Sequence, residues 1–164
     1  MKERKAALLP ILALIFILMS AIGLVHIYQN HTLSPERGGL VFDRDAQPYD
    51  PSAGFDADGA NGIAIPGYGN VYFPADETKV QLVLYNPEKN NCLFRFELYI
   101  DDDTKPIAAT GLIEAGKAVE SVTLSRPLKT GEYTLNIKVF PYTVENHTAL
   151  NNALVRTKLY VVNQ

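Results

Sequence analysis

The sequence predicts an all-β fold, a two-sheet sandwich behind one membrane-spanning helix and an acidic linker. Three observations carry this. Ala6–Val25 is an uncharged apolar run. Residues 27–62 are rich in proline, glycine and aspartate without hydrophobic periodicity. From Ile63 onward, short runs alternate apolar and polar residues between turn signals, the period of half-buried strands rather than helices.

Residues 1–5, MKERK, place Lys2, Arg4 and Lys5 ahead of the apolar run, so the charge bias predicts a cytoplasmic N-terminus. Residues 6–26 form the expected transmembrane helix, since twenty helical residues span about 30 Å, the thickness of a hydrocarbon core. Pro10 falls in the first turns, where a missing N–H costs least. A cleaved signal peptide is the competing reading, with Ala21-Ile22-Gly23 as a small-x-small site. The run is longer than a typical signal core, which favours an uncleaved anchor. Both readings put the remainder outside the cytoplasm, at the cell membrane or beyond.

Residues 27–62 are expected to be a disordered tether, with six acids against Arg37 and Arg44 between Glu36 and Gly62. The aspartates around Asp56-Ala57-Asp58 invite a calcium reading. An EF-hand loop counted from Asp56 would need glycine and glutamate where Asn61 and Gly67 stand. A solvated acidic linker fits better.

The domain at 63–164 divides into about seven strands. Ile63–Ile65 and Val71–Phe73 flank Pro66-Gly67-Tyr68-Gly69-Asn70 and read as one broken first strand. Val80–Tyr85 ends at Asn86-Pro87. Leu93–Ile100 turns Phe94, Phe96, Leu98 and Ile100 inward, and Arg95, Glu97 and Tyr99 outward. Ile107–Ile113 is a short, broken strand. Ala118–Leu124 follows the turn at Gly116. Tyr133–Phe140 points Tyr133, Leu135, Ile137 and Val139 inward. Val155–Val162 does the same with Val155, Thr157, Leu159 and Val161. Seven short strands in a hundred residues are the arithmetic of an immunoglobulin-like sandwich; a jelly roll or small barrel is the alternative. Leu128–Glu132 leads into Tyr133, which is either an ordinary inward tyrosine or a corner tyrosine bonded to upstream backbone. Tryptophan is absent and Cys92 is the single cysteine, so no intramolecular disulfide supports the core.

Chemistry-bearing motifs are scarce. Fifteen basic against eighteen acidic residues give no general affinity for nucleic acid. There is no phosphate-cradling glycine motif, nucleophile elbow or metal-ligand spacing, so no cofactor, metal or catalytic residue is expected. Asn30-His31-Thr32 and Asn146-His147-Thr148 match the short glycosylation triplet. The end, Val161-Val162-Asn163-Gln164, has no wall-sorting tail, so attachment to a wall by that end is not expected.

The most informative surface joins three strands. In an immunoglobulin-like order the third, sixth and seventh strands share a sheet. Its outward residues interleave cations and aromatics: Arg95, Tyr99, Lys138, Phe140, Arg156, Lys158 and Tyr160. Such a face can hold a partner through charge and stacking, or be a solvated sheet with cross-strand cation–aromatic pairs.

Several phrases together carry a resemblance: Gly62-Ile63-Ala64-Ile65-Pro66-Gly67-Tyr68-Gly69, Tyr85-Asn86-Pro87-Glu88-Lys89-Asn90, Gly111–Lys117, Leu128–Tyr133 and Asn151-Asn152-Ala153. In this order, behind an anchor and acidic linker, the chain resembles small membrane-anchored surface proteins of Firmicutes with one immunoglobulin-like domain. The resemblance implies no activity and carries no catalytic residues across. The expectation is a non-enzymatic binding or assembly module of the cell envelope. Its partners would be the lipid bilayer through the helix and an envelope protein or wall polymer through the domain. The alternative is a wall-polysaccharide module.

Overall fold

A computed structural model describes residues 40–51 and 62–163 of the chain. The expected anchor, its flanking charges and most of the tether lie outside the described residues. Among those described, no helix is long and apolar enough to cross a membrane.

Two sheets form the domain. β1 (Gln47–Pro48), β6 (Lys117–Thr123) and β3 (Lys79–Tyr85) make one, in the order β1-β6-β3. The other holds β2 (Val71–Pro74), β8 (Ala153–Val162), β7 (Gly131–Thr143), β4 (Cys92–Ile100) and β5 (Ala108–Ala109), in the order β2-β8-β7-β4-β5. β2 runs parallel to β8; the other pairs are antiparallel. This strand order puts the expected second and fifth strands opposite the third, sixth and seventh, as in an immunoglobulin-like order, whereas the expected first and fourth strands join the five-stranded sheet.

The inward positions read from alternation make the core. Leu84, Phe94, Phe96, Leu98, Leu135, Ile137, Val139 and Leu159 are completely buried. At roughly 1.5–3 kcal/mol for each fully buried aliphatic or phenyl side chain, this layer supplies cohesion without a disulfide. Tyr133 is the corner residue: its hydroxyl donates to the Lys129 carbonyl at 2.9 Å.

Three expectations change. First, Ile63–Ile65 is not a strand. Ala64 is fully buried there, and the Asn90 carboxamide accepts from its N–H at 2.8 Å and donates to its carbonyl at 3.0 Å. One side chain thus supplies both bonds a neighbouring strand would have made. Asn90 also donates to Asn86 Oδ1 at 2.9 Å, and Asn86 Nδ2 donates to the carbonyls of Cys92 and Ile113, both at 2.9 Å.

Second, part of the expected tether is built into the domain. Leu112 N–H donates to Val41 O, and Asp43 N–H donates to Leu112 O, both at 2.8 Å. Gly111 N–H donates to Asp43 Oδ2 at 2.7 Å. Gln47–Pro48 then pairs with Lys117–Ala118 of the opposite sheet. Residues 40–51 form a strap across the segment that joins β5 to β6. The strap explains why the expected strand at Ile107–Ile113 is broken. A Cβ on Gly111 would stand 2.7 Å from Asp43 N and Val41 O, so only glycine admits the strap there.

Third, β7 continues past Phe140 through Pro141. The missing N–H of Pro141 faces Leu150, in the loop before β8, and its carbonyl accepts from Leu150 N–H at 2.9 Å. No bond to β8 is lost, so the proline is tolerated.

Two substitutions test these interactions. Asn86→Ala deprives two buried carbonyls and the Asn90 amide of partners, and should cost on the order of 2–4 kcal/mol. A lower urea midpoint with unchanged m-value would show it. Gly111→Ala should release the strap while leaving the sandwich folded. Trypsin cleavage after Arg44 should then accelerate by roughly tenfold or more, equivalent to about 1.4 kcal/mol of lost docking. Gly67→Ala, whose Cβ would meet nothing within 4 Å, should not change that rate.

Candidate functional site

The outer face of the five-stranded sheet assembles from strands far apart in sequence. Register sets its rows. Arg95 lies opposite Phe140. Glu97 pairs with Lys138, which pairs with Leu154. Tyr99 pairs with Asn136 and Asn136 with Arg156. Thr134 pairs with Lys158. Glu132 pairs with Tyr160 and Tyr160 with Tyr72. All seven residues singled out from the sequence therefore share one sheet face.

Two exposed apolar members of the face, Tyr72 and Leu154, did not stand out in the sequence. Tyr72, 60% exposed, stacks on Tyr160 with ring centroids 5.3 Å apart and planes 21° from parallel. Leu154 is 49% exposed. Alternation hints at Tyr72, which sits beside the buried Phe73, but only the parallel pairing of β2 with β8 delivers it to this surface. Leu154 was missed because β8 starts two residues before the expected strand.

Glu97 is buried, and its carboxylate is used from both sides. Arg95 Nη2 lies 2.8 Å from Oε1, and the Tyr99 hydroxyl donates to Oε2 at 2.6 Å. Burial and the adjacent carboxylate push the Tyr99 phenol up to about 12, against the opposing pull of Arg95. Glu97 is thereby committed to Arg95 and Tyr99. Lys138, opposite Glu97 in register, lies with its ammonium 5.0 Å from the Phe140 ring centroid, and the Arg95 guanidinium is 5.9 Å from the same ring.

Arg156 Nε donates to Asn136 Oδ1 at 3.2 Å, and Asn136 Nδ2 donates to the Asp101 carbonyl at 2.7 Å. Among the described residues no carboxylate pairs with Lys138, Arg156 or Lys158. Two acids of the neighbouring β4–β5 turn are engaged otherwise, while Asp102 lines the trough beside Lys138 and Arg156. Asp101 Oδ1 accepts from Thr134 N–H at 2.7 Å, and Asp103 pairs with Arg126 at 2.9 Å. An open trough of about 830 Å³ runs between this turn and the Lys138–Arg156 rows.

The groups gathered here are cations, carboxamides and aromatic rings, together with the carboxylates of Glu97 and Glu132. Cys92 is buried at the start of β4, and burial pushes its thiol pKa up, away from the reactive thiolate. Among the described residues no three His, Cys, Asp or Glu side chains come together as metal ligands.

No family model matches the chain, and no curated protein matches it. Among solved structures, it is similar to the ASH / PapD-like domain of human CEP192 (PapD-like domain 7), at 14% identity and a TM-score of 0.33. The match covers 82% of this chain and 95% of that domain.

The Glu97 cluster is testable by absorbance titration of tyrosine. The fold holds the neutral phenol of Tyr99, so this contribution to stability is intact below pH 10 and is lost as pH rises to about 12. Tyr99→Phe should remove a component titrating near pH 12. Glu97→Gln should move that component toward the usual value near 10.

Proposed function

We propose that this chain is a membrane-anchored, extracytoplasmic binding module without enzymatic activity, and that the outer face of the five-stranded sheet holds an acidic envelope protein. One observation carries the choice of face. On a protein of net charge -3, Lys138, Arg156 and Lys158 lie together without carboxylate partners, flanked by Phe140, Tyr160 and Tyr72. Cations left unneutralised on one face favour a partner of opposite charge and speed its capture. The exposed Tyr72 ring and the half-buried Phe140 and Tyr160 rings add apolar area that stacks without a large entropic cost. The apolar run at residues 6–25 and the resemblance to surface proteins of Firmicutes support the envelope setting. A second reading has its own support: the stacked Tyr72–Tyr160 pair, with Tyr72 exposed and Tyr160 half-buried, is a flat aromatic platform suited to a wall glycan.

The two readings separate in one experiment. A photoreactive residue at position 158 should capture a protein in intact cells. The Lys138→Glu/Arg156→Glu pair should reduce that adduct at least about tenfold, or about 1.4 kcal/mol, without lowering the melting temperature appreciably. Added salt should also weaken it. If the module instead binds purified wall glycan, retention should resist both charge reversal and salt but fall in Tyr160→Ala. Absence of both protein capture and glycan retention would reject the face as a binding site.

A further inference from the structure

Eight large apolar side chains among the described residues are exposed, and five of them gather at one end of the sandwich. Leu40, Val41 and Phe42 lie on the strap; Val144 and Leu150 lie in the loop between β7 and β8. The Phe42 and His147 rings meet edge to face at 5.9 Å, which joins strap and loop into one surface.

Both pieces are held firmly. Backbone bonds to Leu112 on either side of Phe42 fix the strap. Within the loop, Thr143 N–H donates to Thr148 O at 2.9 Å and Leu150 N–H to Pro141 O at 2.9 Å. Asn146 Oδ1 accepts from the Thr143 and Thr148 hydroxyls at 2.5 and 2.8 Å. Val41 at 63% exposed and Val144 at 55% are therefore presented by a fixed backbone.

Chain length selects the occupant. Leu40 stands fifteen positions after Val25, the last residue of the apolar run. Fifteen residues reach at most about 50 Å when fully extended. With the run in a bilayer, the polypeptide enters the domain through this apolar patch, within reach of the lipid surface. Aliphatic side chains, one phenyl ring and a histidine suit shallow burial at a headgroup boundary. Glu145 beside Val144 argues for contact through apolar area rather than attraction to anionic lipid.

We infer that this end of the sandwich is a bilayer-contact surface, with Val41, Phe42, Val144 and Leu150 seated in the lipid interface. The inference rests on the anchored reading proposed above. It stands the strands on end at the membrane and leaves the cationic sheet face open to the side.

The test uses the full chain reconstituted in phosphatidylcholine vesicles carrying a photoactivatable phosphatidylcholine. Tryptic peptides 38–44 and 139–156 should take up at least about five times more lipid adduct than peptide 118–129. The Val41→Asp/Val144→Asp double variant should still float with the vesicles, but its two peptides should fall to the level of 118–129. A chain that floats with all three peptides labelled equally overturns the contact surface and leaves the anchor standing. An added bifunctional crosslinker that joins two chains through 38–44, with no lipid adduct on that peptide, also overturns it. A chain that does not float with vesicles overturns both readings.

Discussion

Everything at one end of this sandwich depends on the paired carboxamides of Asn86 and Asn90. Both side chains are buried, at 0% and 7% exposed, and their hydrogen bonds run to Ala64, Cys92, Ile113 and each other. A buried amide without partners costs the full desolvation of each polar group, so such a network is worth most when complete. Here it ties the entering segment, the start of β4 and the crossover to β6 at one point. A domain without a disulfide gains there a polar fastener between chain segments that its apolar core alone would leave free to slide.

The strap uses a related device. The edge of a sheet presents unpaired backbone groups and invites wrong pairing. Val41 and Asp43 satisfy Leu112, Asp43 caps Gly111, and Gln47–Pro48 covers the start of β6. A residue with no side chain at position 111 makes room for this. The glycine that interrupts a strand in the sequence is the seat for another segment in the fold.

The same register that buries the core exposes the proposed binding face. On β4, Phe94, Phe96 and Leu98 pack inward while Arg95, Glu97 and Tyr99 alternate outward, and the ladders to β7 and β8 align the cations and rings beside them. Glu97 neutralises Arg95 and binds Tyr99, so the positive charge left over belongs to Lys138, Arg156 and Lys158. The proposed binding face and the apolar end occupy different sides of the domain, so the two proposals are compatible.

The sequence by itself determined which residues face inward, because a period of two is local and the hydrophobic effect acts on each position. The alternation of β4, β6, β7 and β8, and with it the seven residues of the outer face, was legible for that reason. The hydroxyl bond of Tyr133 was one of two open readings, since corner geometry needs the folded turn. Only the tertiary structure decided the rest. Asn86 and Asn90 stand beside the turn that ends a strand, yet Asn90 bonds across 26 positions of sequence to Ala64 and Asn86 across 27 to Ile113. The strap looked like linker because its pairing with Leu112 and β6 is made by backbone groups, which leave no mark in composition, and because the Asp43 carboxylate meets Gly111 N–H only across 68 positions of sequence. Side-chain periodicity is written one residue at a time, whereas a polar contact between distant segments exists only once the chain has brought them together.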